Sequence, residues 1–163
     1  MNDAAPEPKL TWKSPRLRGK VLGTALLLAF VTYGFFTWVL WPVKVSGESM
    51  IPNYPDGSRH FINKLAYRSA NPQRGDVVGL RALNGDIYIK RVIGLPGESL
   101  TFENGTVQVN GQPLQEPYLE RRILSEIDPI TLGPNQYWMM GDNRPTSVRL
   151  GVSAEQIVGK VVF

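Results

Sequence analysis

Ser49 stands in the string KVSGESMIP, among small residues and just beyond a long uncharged apolar stretch. A serine hydroxyl is a poor nucleophile until a neighbour takes its proton. The chain offers few bases for that work, having one histidine and no cysteine. Attention therefore falls on lysine, and Lys90 is oddly placed: it interrupts the β-branched and aromatic run DIYIKRVIGLPGE. On a strand, Tyr88, Lys90 and Val92 share one face while Ile89, Arg91 and Ile93 share the other, which gives Lys90 apolar neighbours. Burial disfavours the ammonium form and lowers a lysine pKa by up to about 3 to 5 units, leaving an amine able to act as a base near neutral pH. A Ser-Lys pair is then chemically sufficient. Taken singly, Ser49 would be a loop residue and Lys90 a snorkelling strand lysine.

A third segment, MMGDNRPTS at residues 139 to 147, changes that weighting. SGESMIP, RGDVVGL, IYIKRVIGLPGE and GDNRPTS, in this order behind an apolar stretch, resemble the sequence boxes of bacterial type I signal peptidases, the leader peptidases that cut secretory signal peptides. The resemblance covers roughly residues 20 to 163. It implies a serine endopeptidase with Ser49 as nucleophile, Lys90 as general base and Ser147 as the hydroxyl that orients the lysine amine. It also implies that Asp142 pairs with Arg91, and it gives Asn143 of the same box a supporting place. The substrates would be signal-peptide-bearing preproteins with small side chains at the first and third positions before the cut.

Three positions depart from the family pattern. Some members have an oxyanion-hole serine two residues before the nucleophile, where this chain has Gly47; the hole would then rest on main-chain N–H groups such as that of Ser49. Asn53 replaces a usual threonine, a change read as minor. After GDNR the family usually reads S-x-D-S-R, whereas this chain reads Ser147, Val148, Arg149, Leu150, Gly151. The aspartate is absent, and Arg149 matches the family arginine only across a two-residue deletion.

The elements that must position these residues are legible in coarser patterns. Residues 21–43 carry no charge, and a helix of this length at about 1.5 Å per residue spans the roughly 30 Å hydrocarbon core of a lipid bilayer. Trp12, Trp38 and Trp41 suit interfacial aromatic belts, and Pro42 is expected to end the helix. A cleavable signal peptide would have a shorter apolar region and a small-residue cleavage site. Residues 1–20 hold five basic and two acidic residues, whereas residues 44–163 hold 13 basic and 12 acidic. The basic excess thus belongs to a tail read as disordered and cytoplasmic by the positive-inside rule, and nucleic acid need not be invoked. The expected organisation is a tail over 1–20, a transmembrane anchor over 21–43 and one extracytoplasmic peptidase domain over 44–163, attached to the cell inner membrane.

Beyond residue 43 the periodicity is that of strands. HFINKLAY, DVVGL, DIYIKRVIGL, SLTF, TVQVN, QYWMM and QIVGKVVF alternate with Gly, Pro and Asn punctuation, and Asn104-Gly105 and Asn110-Gly111 predict tight hairpins. The fold class is mainly β, an antiparallel β-sandwich or partly open barrel behind one N-terminal transmembrane helix. PLQEPYLERRILSEIDPITLGP is the least regular stretch, and its Arg121 and Arg122 read as solvated charges. No CxxC, HExxH or phosphate-cradling glycine loop is present, and His60 alone cannot build a metal site, so no metal or other cofactor is implied. Two alternatives stay open: a specialised prepilin or conjugation-system peptidase, and a catalytically silent membrane-tethered binding module of the same fold.

Overall fold

The computed structural model describes residues 15–82, 84–120 and 127–162. The expectations for residues 1–14 of the tail and for Arg121 and Arg122 lie outside them. Among the described residues one α-helix, α1 (Pro15–Trp38), precedes eleven strands. Proline suits the first helical position because its missing N–H would have no helical partner there. The stretch Gly19–Trp38 is long and apolar enough to cross a membrane. Its leucines, valines and phenylalanines are exposed, Phe30 by 74%, the pattern of a helix whose natural surroundings are apolar.

The helix ends earlier than the uncharged stretch. Residues Leu40–Lys44 form β1, antiparallel to β2 (Arg59–Asn63). Lys64 caps the last turn: its Nζ donates to the Thr37 carbonyl at 2.7 Å and its main-chain N–H to the Val39 carbonyl at 2.9 Å. A cation on the last helical carbonyls is the favourable end of the helix dipole. Pro42 therefore lies in an edge strand, where a missing N–H is tolerated, and not at the helix end.

The remaining strands are β3 (Val77–Arg81), β4 (Ile87–Gly94), β5 (Ser99–Glu103), β6 (Thr106–Val109), β7 (Gln112–Pro113), β8 (Ile127–Thr131), β9 (Gln136–Met140), β10 (Leu150–Ser153) and β11 (Ile157–Val162). They form a seven-stranded sheet ordered β1-β2-β11-β3-β4-β9-β10 and a four-stranded sheet ordered β7-β6-β5-β8, antiparallel throughout. Both Asn-Gly turns are present, with φ of 48° at Asn104 and 51° at Asn110.

Central strands β4 and β9 feed two cores at once. Val92 and Met139 pack with Val78, Leu80, Tyr137 and Val152, while Ile93 and Met140 pack with Leu100, Phe102, Val107 and Leu132. Strands buried on both faces lose the apolar-polar alternation, which is why IYIKRVIG and QYWMM read as near-continuous apolar runs. Met139 thus belongs to the core and Met140 with it. A third core joins Met50 to Ile62, Val77 and Val161, and so ties the residue after Ser49 to the large sheet.

Candidate active site

Strand β4 carries Lys90 opposite Val78 of β3, one residue before its pairing with β9 begins, and leaves it only 5% exposed. Its Nζ donates to Ser147 Oγ at 3.1 Å. The same hydroxyl accepts the Gly141 N–H at 2.7 Å and donates its own hydrogen to the Val148 carbonyl at 3.1 Å. Ser147 has then used its one hydrogen and both lone pairs. Because it acts toward Lys90 only as an acceptor, the lone pair of a neutral Lys90 amine is left to another partner. Burial lowers the Lys90 pKa from 10.5 to about 8, against the opposing pull of the Asp142 charge.

That pull is weakened because Asp142 is committed elsewhere. Arg91, turned to the other face of β4, donates from Nε to Asp142 Oδ1 at 2.8 Å and from Nη2 to Oδ2 at 2.6 Å. The fork geometry matches a carboxylate bidentately. Arg91 Nη1 also reaches the Gly75 carbonyl at 2.8 Å, and its guanidinium lies 4.1 Å from the centroid of the Tyr118 ring. Asn53 completes this cluster, donating from Nδ2 to Asp142 Oδ2 at 2.9 Å and to the Tyr118 carbonyl at 3.0 Å. The replacement of the usual threonine is therefore more than a minor change: the longer amide bridges two acceptors at once.

Ser49 enters through its main chain. The Asn143 N–H donates to the Ser49 carbonyl at 3.0 Å and Asn143 Nδ2 to the Glu48 carbonyl at 3.0 Å, so Asn143 clamps the segment that carries the serine. Met50, 1% exposed, anchors its other end in the core. Gly141 lies where these parts meet. A Cβ there would overlap the Ser49 carbonyl oxygen and the Ser147 hydroxyl, so only glycine lets the two approach.

Two expected site residues stand apart from this cluster. Gly47, at φ +95°, adopts a left-handed conformation that a serine would strain to reach, and its N–H is taken by Asp56 Oδ1 at 2.8 Å. Arg149 lines a cavity with Thr101, Glu103 and Asp128, beside the four-stranded sheet. The reading from sequence also passed over Glu116 and Arg144. They form a buried pair, with Arg144 Nη1 and Nη2 both donating to the Glu116 carboxylate and Arg144 Nε to the Gly141 carbonyl at 3.0 Å. Arg144 lies inside the GDNR box and could have been suspected there; no periodicity marks Glu116.

Beside Ser49 runs a groove of about 380 Å³ with Val43 and Val45 on one wall and Ile87 to Ile89 of β4 on the other. Strand β9 pairs with β4 only from Arg91 to Gly94, so residues Ile87–Ile89 offer an unpaired edge toward this groove. An exposed edge accepts a further extended strand through main-chain hydrogen bonds.

The family profile described as "Signal peptidase, peptidase S26" matches residues 18–163. Signal peptidase IB of Staphylococcus aureus is 32% identical over 164 residues, covering 87% of this chain and 84% of the relative. Signal peptidase I T of Bacillus subtilis strain 168 is 34% identical over 161 residues, covering 89% and 82%. Among solved structures, a signal peptidase I from Enterococcus faecalis V583 aligns with a TM-score of 0.51 at 26% identity, covering 56% of this chain and 97% of that one. With its boxes in order and its fold matched, the chain belongs to the signal peptidase family, peptidase S26.

Proposed function

We propose that this protein is a membrane-anchored signal peptidase that cuts preproteins with a Ser49 nucleophile and a Lys90 general base. The observation that carries this reading is the buried amine of Lys90, hydrogen-bonded to Ser147 and gathered with the Ser49 main chain around Gly141. An extended signal-peptide segment adds to the open edge of β4 and brings its scissile carbonyl to Ser49. The neutral amine of Lys90 takes the Ser49 hydroxyl proton as Oγ attacks the carbonyl carbon, and the Ser49 N–H supports the oxyanion. The resulting ammonium gives that proton to the departing amine, which leaves an ester on Ser49. Lys90, neutral again, deprotonates a water that attacks the ester, and its proton finally returns to Ser49.

The apolar α1 helix supports reading the protein as anchored in a membrane. By the charge asymmetry of the sequence, the N-terminus is cytoplasmic and the β domain extracytoplasmic, at the inner membrane. Tethering replaces a three-dimensional search for signal peptides with a local one. The test is to incubate the detergent-solubilised protein with a preprotein and sequence the N-terminus of the product. Cleavage after a small residue, absent from Ser49→Ala, is the expected result; cleavage by Ser49→Ala at the wild-type rate refutes the reading.

A further inference from the structure

The Glu116–Arg144 pair is enclosed more completely than any other ion pair among the described residues, with side chains 0% and 3% exposed. Tyr118 OH adds a third donor to the Glu116 carboxylate at 2.7 Å. Burying two charges is costly, and a well-packed apolar pair of similar volume often serves stability as well or better. The pair does something that apolar residues could not, because Arg144 Nε is left over to hold the Gly141 carbonyl.

Gly141 needs such restraint. Close approach excludes a side chain there, and a glycine has the widest choice of backbone angles. Its carbonyl is fixed by Arg144 and its N–H by Ser147, so the peptides on both sides are pinned. Ser147 in turn receives the Lys90 amine. We propose that Glu116 and Arg144 are positioning residues for the reaction: an unbroken run of hydrogen bonds from Glu116 through Arg144, Gly141 and Ser147 sets where the Lys90 amine points. A carboxylate from the stretch between β7 and β8 thereby steadies the loop in which no aspartate follows Ser147. The proposal rests on Lys90 being the base.

The test is steady-state kinetics on the full-length protein in detergent, with a preprotein substrate and the folded fraction of each variant measured by thermal melting. Glu116→Gln keeps the shape and removes the charge; it should lower kcat roughly tenfold and change KM by less than about twofold. Arg144→Lys keeps a cation but loses the Nε bond to Gly141, and should do the same. Ser147→Ala should lower kcat by about one to two orders of magnitude. The double variant Glu116→Gln/Ser147→Ala should be no slower than Ser147→Ala, because the two act through one contact. Wild-type kcat in Glu116→Gln, or losses that multiply in the double variant, overturns the proposal. If Glu116→Gln fails to fold, Arg144→Lys carries the test, and a loss in both that the unfolded fraction fully explains also overturns it. Ser49→Ala and Lys90→Ala run alongside: activity in either defeats the Ser-Lys reading itself, whereas inactivity in both with an unaffected Glu116→Gln defeats only the positioning role.

Discussion

Lys90 and Ser49, the two residues of the proposed dyad, are held in opposite ways. Lys90 sits on a central strand, paired to β3 and one residue before the pairing with β9 begins, beside a cluster in which Arg91, Asp142, Asn53, Glu116 and Arg144 satisfy one another. Ser49 rides on an irregular segment whose preceding residues, Ser46 to Glu48, are exposed, and it is steadied by the Asn143 clamp and the buried Met50. On the proposed mechanism the difference matches the role of each group. A base gains from burial because burial shifts an amine toward its neutral form. A nucleophile must stay open to a peptide arriving along the groove, so its support comes from the main chain behind it.

The sharpest way to break this comparison is to remove each partner. Ser49→Ala and Lys90→Ala should each lower kcat by about a thousandfold or more, with the double variant no worse, since a unit's losses do not add. Lys90→Arg should be equally inactive because a guanidinium stays protonated. Preprotein cleavage followed by gel shift decides the matter, and near-normal turnover in Lys90→Arg would remove the amine base.

Next in size is Gly141→Ala, which attacks the point where the two supports touch. The added methyl must displace the Ser49 carbonyl or the Ser147 hydroxyl. Stability should fall by about 1–3 kcal/mol, the usual cost of overpacking, and kcat by about a hundredfold through misplacement of the reacting groups. Denaturant unfolding and kinetics measure the two separately.

Burial of Lys90 has a signed consequence for pH. Its folded pKa of about 8 lies below the ordinary 10.5, so between these values the unfolded chain binds more protons. The penalty is complete below about pH 8, shrinks as pH rises and is gone above about 10.5. Lys90→Met should therefore be more stable than wild type by about 2–3 kcal/mol at pH 7, with the gain fading over that window. Wild-type kcat/KM should rise with pH through about 8. A Lys90→Met protein no more stable at any pH would place the amine in a better-solvated setting.

The smallest effect should come from His60→Ala. His60 meets Ser58 Oγ at 3.0 Å and packs edge-on against Tyr54, and neither of these contacts is with Lys90 or Ser49. Activity should stay within about twofold of wild type. A loss as deep as that of Ser49→Ala would argue for a Ser-His arrangement instead.

How much of this was legible in the sequence depended on whether the cause was local. Lys90 was visible because one charge in a β-branched run is a local anomaly, and the Asn-Gly hairpins because their turn chemistry lies within two residues. The β1 strand was hidden: LWPVK continues the apolar composition of α1, and only pairing with β2, some twenty residues later, makes it a strand. Strand β8 was hidden in the same way, ordered by the distant β5, and the four-residue β10 was too short to show a period. The site followed this rule too. Arg91 with Asp142 came from box resemblance, whereas the Glu116–Arg144 pair joins residues 28 apart with no pattern connecting them.

On the proposed Ser-Lys mechanism, the two buried guanidinium–carboxylate pairs also bear on the charge balance of the reaction. Arg91 cancels Asp142 and Arg144 cancels Glu116, so with a neutral Lys90 the enclosed part of the site carries no net charge. When the Ser49 proton moves to Lys90 and negative charge develops on the carbonyl oxygen, the new ammonium and oxyanion arise together and sum to zero. On that mechanism this step needs no counterion to enter or leave. Added salt should then act on the encounter with substrate, where exposed charges are screened within about a nanometre, and leave the bond-breaking steps nearly untouched.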